Sequence, residues 1–285
     1  MAESQPNRIA LTVVAPAHNE QDNIERLIDE VGRAAEAVAE VLGAPKSFEF
    51  IIVDDGSTDG TRDLITSAMA TRPWVRTIAM TNTPPSKGNG QSAAFHAGFR
   101  AARGDLIAVL DADLQNDPAD LVAMARLLRE RSADMVQGDR SANRRDNIVR
   151  RWGSIVGRTF RRMILADTIR DTGCSLRLMK REIALRLPLE FRGIHRFIPA
   201  SARHMGYTVV EMPVSHRPRI AGETKYGMGI VQRALPGLID CFAVRWMRQR
   251  RRPVTSAEIT AHDEPASPTA RPVRPAAPEE VGGPR

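Results

Sequence analysis

The sequence predicts an α/β fold: a mainly parallel central sheet flanked by helices. Short apolar runs alternate with segments of helical periodicity through the first half of the chain. Four of those runs end in polar sequence, and ligands bind parallel sheets of this class beyond the carboxyl ends of their strands. The chain has 285 residues, 42% hydrophobic and 26% charged, an ordinary globular composition with length enough for a sizeable core.

Taken in order, residues 9–15 read as a buried strand. Residues 23–42 have helical spacing, with Ile24, Leu27, Ile28 and Val31 on one face. A second strand over 48–53 ends at Asp54-Asp55-Gly56, and a helix follows over 61–69. A third strand spans 75–80. The turn-rich stretch from Pro84 to Gly90 enters a helix over 91–103, and a fourth strand over 106–110 runs into Asp111. The segment 227–247 is apolar but interrupted by Arg233, Asp240 and Arg245, and Pro236 argues against one continuous helix there. No internal repeat is present.

Composition narrows the function classes. The formal net charge is +7 with pI near 10.2, so the surface attracts anions: nucleic acid, anionic membrane or phosphorylated substrates. Aromatic residues are only 5% and no nucleic-acid-binding module is recognisable, which disfavours a nucleic-acid partner. Cys174 and Cys241 form neither a disulfide framework nor a metal-ligand spacing. The first apolar run is too short for a signal peptide, and no run is long enough for a transmembrane helix. Residues 253–285 hold seven prolines and no aromatic residue, the composition of a disordered tail.

Four strand-end motifs carry the chemistry. In Asp111-Ala112-Asp113 two carboxylates stand at i and i+2 where the chain leaves the sheet, within reach of a hard divalent cation such as Mg²⁺ or Mn²⁺. A bare Asp-x-Asp is most often a surface turn or a helix cap. Here Gln115 adds an oxygen ligand and Pro118 marks the next helix start. In the string from Asp54 to Thr61, Asp55 is placed to accept hydrogen bonds from a base or ribose, while Ser57 or Asp59 caps the next helix. Between the first strand and helix lies Pro16-Ala17-His18-Asn19-Glu20. Lys87-Gly88-Asn89-Gly90 lacks the phosphate-loop pattern, which excludes a nucleotide triphosphatase of that type. Residues 140–162 contain eight arginines and one acid.

In order and spacing these motifs, with Asp171-Thr172-Gly173-Cys174-Ser175-Leu176-Arg177 and the stretch from Arg217 to Gly227, resemble glycosyltransferase family 2, the inverting enzymes of GT-A (Rossmann-like) fold. The nearest subgroup looks like the dolichyl- or polyprenyl-phosphate sugar synthases. The resemblance implies that Pro16, His18, Glu20, Val53 and Asp55 line a nucleotide pocket. It places Asp111 and Ala112 on the sugar donor, Asp113 and Gln115 (with Asp111) on the metal, and Arg219 and Lys225 on the phosphates. Arg140, with Arg151 or Arg150, would lie near an acceptor phosphate. Where this chain has His18 the family usually has Tyr, and where it has Thr224 the family usually has Ser.

The implied partners are a nucleotide sugar donor, a polyprenyl phosphate acceptor and the cytoplasmic face of the cell membrane, with room for a homo-oligomer. An ionised phosphate can attack an anomeric carbon without a general base; it needs cations to hold it, because donor and attacker are both anionic. Arginine suits that task. A saccharide or lipid hydroxyl would instead require a carboxylate base, for which Asp171 is the candidate. On this basis residues 1–228 form the GT-A domain, 229–252 an amphipathic segment at the membrane interface, and 253–285 the tail.

Overall fold

The computed structural model describes residues 9–84, 87–141, 148–218, 230–252 and 254, with backbone only at 148–156 and 230–235. The expected tail, residues 253–285, lies outside the described residues apart from Val254.

Seven strands form one sheet in the order β3-β2-β1-β4-β6-β5-β7. They are β1 (Leu11–Ala17), β2 (Phe48–Asp54), β3 (Val75–Ala79), β4 (Leu106–Val109), β5 (Met135–Asp139), β6 (Arg177–Lys180) and β7 (Val209–Pro213). The first four run parallel, as do β5 and β7; β6 is antiparallel to both of its neighbours, β4 and β5. The inner parallel strands β1, β2 and β4 are buried on both faces and read as near-continuous apolar runs, such as Phe50-Ile51-Ile52-Val53.

Helices cover both faces. On one lie α1 (Gln21–Val41), α2 (Thr61–Thr71) and α4 (Asp120–Glu130), whose apolar stripes form a core with the sheet that includes Ile24, Leu27, Val31, Ile65 and Met124. On the other, α3 (Gln91–Ala101), α6 (Arg181–Leu185), α7 (Ile198–His204) and α8 (Ile230–Arg250) contribute Phe95, Phe99, Ile183, Ile198, Cys241 and Val244 to a second core. The last turn of α5 (Ile148–Leu165) joins that core through Leu165. Helix α3 lies directly on β1 and β2 at Gly98, where an added Cβ would come 2.5 Å from Val14 Cγ1.

Helix α8 runs through Pro236 as one element, contrary to the break expected there. Proline removes one hydrogen bond from the ladder. Cys241 and Val244, buried beyond it against the second core, hold the helix in place. The strand expected at 9–15 sits two residues later, because Pro16 and Ala17 still pair with Val53 and Asp54. Among the described residues no helix is long and apolar enough to cross a membrane.

Candidate active site

Strand register brings the site together. Val14 lies opposite Val109, Ala17 opposite Asp54, Val109 opposite Arg177, and Asp139 opposite Pro213. The sequences after β1, β2, β4 and β5 and before β6 therefore meet at one edge.

The acidic centre follows β4. Asp111 Oδ1 accepts a hydrogen bond from Gln91 Nε2 (2.5 Å) and its Oδ2 accepts one from Ser175 Oγ (2.6 Å). Asn116 Nδ2 donates in turn to Ser175 Oγ at 2.8 Å. Asp113 is buried, and its Oδ1 accepts the Gln115 N–H (3.2 Å). Leu114 turns the loop in the left-handed region at φ +57°, a cost its wholly buried side chain offsets. Burial and the adjacent Asp113 charge push the Asp111 carboxyl up to about 6, against the Ser175 hydrogen bond and the charges of Arg140 and Arg177.

Two carboxylates in mutual repulsion on one short loop are the condition a divalent cation relieves, so the donor set fits one. Among the described residues no group of three or more His, Cys, Asp or Glu side chains is gathered to hold a metal ion. A cation held by Asp111, Asp113 and the Gln115 amide would draw its other ligands from water and phosphate, the usual way proteins hold Mg²⁺.

Facing this centre is a guanidinium pair. Arg140, just after β5, is buried; its Nε and Nη2 donate to Asp171 Oδ2 (2.9 Å) and Oδ1 (3.3 Å), and its backbone N–H to Oδ2 (3.3 Å). Gly173 N–H donates to the same Asp171 Oδ1 (3.0 Å). Burial lowers the Arg140 pKa, but the bonds to Asp171 more than reverse it, so the net shift is upward. Both Asp171 oxygens are thus engaged.

Arg177, 1% exposed, donates from Nε to Gln137 Oε1 (2.8 Å) and from Nη2 to the Thr172 carbonyl (3.1 Å), and its Nη1 is buried without a partner. Burial pulls Arg177 down to about 10, opposed by the charges of Cys174, Asp111 and Asp171, so it stays charged at neutral pH. Its only sequence signal is that it closes the string beginning at Asp171, and a lone arginine in a strand predicts no partner. Ser92 and His195 brace the first turn of α3: Ser92 Oγ lies 2.8 Å from His195 Nδ1 and accepts the His195 N–H (3.1 Å). Burial, Arg177 and Arg196 push His195 down to about 3, so it is neutral.

On the expected nucleotide side, His18 Nδ1 is hydrogen-bonded to the Asp55 carbonyl (2.8 Å), and Pro16 is half-buried beside it in sequence. Glu20 N–H donates to Thr61 Oγ1 (2.8 Å), and Glu20 Oε2 accepts from Asn23 Nδ2 (2.9 Å). The Asp55 carboxylate is held in place: Oδ1 accepts the Asn89 N–H (2.9 Å) and Oδ2 the Gly90 N–H (2.8 Å). Gly88 has to be glycine for this, since a Cβ there would stand 2.3 Å from Asp55 Oδ2. The Val53 side chain packs in the core against Gly98, which leaves its backbone as the part that can face a nucleotide. Asp59 caps two helix starts, accepting the N–H of Thr61 (3.0 Å) and of Gln21 (3.3 Å), whereas Ser57 Oγ accepts the Asn19 N–H (3.0 Å).

Arg219 and Lys225, and the side chains of Arg150 and Arg151, lie outside the described residues. The segment leading to Arg219 is anchored on the acidic loop. Asn116 and His216 form a β-bridge, Arg217 N–H donates to the Gln115 carbonyl (2.8 Å), and the Arg217 guanidinium pairs with Asp117 (2.6 Å) and Glu30 (2.5 Å).

Comparison with known proteins gives the family and the fold. The sequence model of glycosyl transferase family 2 matches residues 12–187. The dodecaprenyl-phosphate galacturonate synthase of Rhizobium johnstonii is 33% identical over 86% of this chain and 69% of its own length. The undecaprenyl-phosphate 4-deoxy-4-formamido-L-arabinose transferase of Edwardsiella ictaluri is 30% identical over 84% and 69%. This chain therefore spans about two thirds of the length of those relatives. Among solved structures, a mannosyltransferase from Pyrobaculum calidifontis, in complex with GDP-Man and Mn²⁺, superposes with a TM-score of 0.57 at 20% identity, covering 86% of this chain and 66% of that one. A glucosyl-3-phosphoglycerate synthase from Mycobacterium tuberculosis, in complex with Mn²⁺, UDP and product, gives 0.58 at 18% identity over 81% and 79%. The chain belongs to glycosyl transferase family 2 and has the GT-A fold of these structures.

Proposed function

We propose that this family 2 glycosyltransferase inverts and transfers a sugar from a nucleotide diphosphate donor to a polyprenyl phosphate at the cytoplasmic membrane face. One observation supports the reading above the others: an acidic centre and a guanidinium pair share one sheet edge, suited to two different anions. Asp111, Asp113 and Gln115 would hold Mg²⁺ or Mn²⁺, which supplies charge neutralisation to the departing diphosphate. Arg140 and Arg177 would hold the acceptor phosphate, Arg177 with the Nη1 that lacks a protein partner. Asp55 keeps acceptor capacity for a nucleotide, because its Oδ2 has a second lone pair beside the Gly90 amide. The names of the relatives, both sugar transfer to a polyprenyl phosphate, support the acceptor class.

The acceptor is membrane-borne, and α8 with α5 offers a surface for it. Ile239 (59% exposed), Phe242 (54%) and Trp246 (59%) form an outward stripe on α8, with Met163 of α5 exposed nearby in the fold. Phe242 packs edge-on against Phe160 of α5, and Arg250 sits over the Trp246 ring. Arg162, Arg245, Arg250, Arg251 and Arg252 are exposed around them. This is the pattern of a peripheral helix at an anionic interface.

The test is a panel of nucleotide sugars with polyprenyl phosphate and divalent cation, scored for lipid-linked sugar, and repeated with Asp171→Asn. Asp171 acts here as a positioning residue for Arg140. The variant should raise the acceptor KM about 10- to 100-fold with kcat within ~10-fold, because one charged hydrogen-bonded pair is weakened. A loss of roughly 10²–10⁴ in kcat at unchanged KM would mark Asp171 as a general base and a hydroxyl acceptor. Sugar appearing only on a soluble acceptor would sink the reading.

A further inference from the structure

Asp111 is held from both of its oxygens, and the bond at Oδ2 has a direction built into it. Ser175 Oγ, 2.6 Å from Asp111 Oδ2, belongs to a hydroxyl that can give or take a proton. Asn116 decides between the two. Its Nδ2, a donor only, points at Ser175 Oγ from 2.8 Å. The hydroxyl accepts from Asn116, and its single proton is left for the carboxylate. The Asn116 amide is oriented in turn by its oxygen, which lies 3.7 Å from Cys174 Sγ. Burial pushes the Cys174 thiol up to about 11, so at neutral pH it keeps its proton for that oxygen.

All three side chains are closed to solvent: Cys174 is 0% exposed, Asn116 1% and Ser175 3%. Backbone bonds hold the frame around them. Asn116 bridges to His216, the Cys174 carbonyl accepts from Gln137 Nε2 (3.0 Å), and the Leu176 carbonyl accepts the Gly138 N–H (3.0 Å). A polar pair buried merely to join two loops would end on itself. This row ends on the Asp111 carboxylate, and with Gln91 at Oδ1 each carboxylate oxygen still has a lone pair for a cation.

We propose that Ser175 is the positioning residue for Asp111 and Asn116 the positioning residue for Ser175, a one-way row of donors that sets the carboxylate in place for a divalent cation. The inference rests on the reading of the acidic centre given above and deepens it. Groups that hydrogen-bond a metal ligand from behind carry about 10- to 100-fold of metal affinity, because they fix the orientation in which it meets the ion.

The test is Mn²⁺ binding to the full chain without nucleotide sugar, followed by the EPR signal of free Mn²⁺, together with the KM for polyprenyl phosphate in the transfer assay. Ser175→Ala should weaken Mn²⁺ binding about 10- to 100-fold and leave the acceptor KM at its native value. Asn116→Ala should weaken it less, since the hydroxyl can still find Asp111 without its guide. The double variant should bind no more weakly than Ser175→Ala alone, because Asn116 acts only through Ser175. Ser175→Cys, which offers only a weak donor, carries the same comparison should the alanine variant fail to fold. Losses that add, or an acceptor KM that rises in step with the Mn²⁺ Kd, would reduce the row to a staple between two loops and overturn the proposal. Native Mn²⁺ affinity in the Ser175 variant sinks the proposal alone; a native chain that binds no Mn²⁺ sinks the reading of the acidic centre and the proposal with it.

Discussion

At the scale of single residues, the site works by leaving few groups idle. Asp111 is held by Gln91 and Ser175, Asp171 by Arg140 and Gly173, Asp55 by the amides of Asn89 and Gly90. His195 is the group whose protonation couples most directly to folding. Its ordinary value is 6.5 and in the fold it is pushed down to about 3 by burial and by Arg177 and Arg196. Between those values the unfolded chain takes up a proton that the folded chain refuses. The stability it contributes is therefore complete above pH 6.5 and is lost as pH falls toward 3, at up to about 1.4 kcal/mol per pH unit. His195→Gln can keep a bond to Ser92 and should flatten that part of the acid limb, read from urea midpoints at pH 7 and pH 5. An acid loss as steep in the variant as in the native protein would refute the assignment.

At the scale of elements, the alternation of apolar runs and helical stripes made β1 to β4 and α1 to α3 legible, because short apolar runs and helical stripes follow one another without interruption there. The later elements were not. In β5 the run Met-Val-Gln-Gly-Asp carries Gln137 and Gly138, which look unlike a buried strand until Arg177 of β6 is seen to need Gln137. The acidic pair and the Asp171 string were legible as motifs. The Asp171–Arg140 pairing was not, since it joins residues 31 apart whose meeting depends on strand order. Helix α3 shows what close approach demands. Gly98→Ala would put a methyl 2.5 Å from Val14 Cγ1 and 3.0 Å from Val53 Cγ2. Lifting the helix should cost about 1–3 kcal/mol, a fall in Tm of roughly 3–10 °C by scanning calorimetry. Transfer activity should fall with it, because α3 carries Gln91; an unchanged Tm would show the helix free to shift.

At the scale of the whole molecule, positive charge and exposed apolar surface come together on α8. The sequence carries +7 overall, and α8 presents aromatic side chains amid exposed arginines. Replacing Phe242 and Trp246 together by Ala should weaken binding to anionic vesicles roughly 10- to 100-fold, on the apolar area lost, with the sugar-transfer rate in detergent unchanged. Vesicle co-sedimentation at two ionic strengths checks it, and retention equal to the native chain would place the contact elsewhere. The reversed strand β6 has a consequence at this scale too. It splits the sheet into two parallel blocks, β1 to β4 and β5 with β7, which pair only through it. The acidic loop hangs from the first block and Arg140 from the second, with Arg177 on the seam. The groups proposed to hold the donor and the acceptor therefore stand on different blocks of one sheet, with β6 joining them.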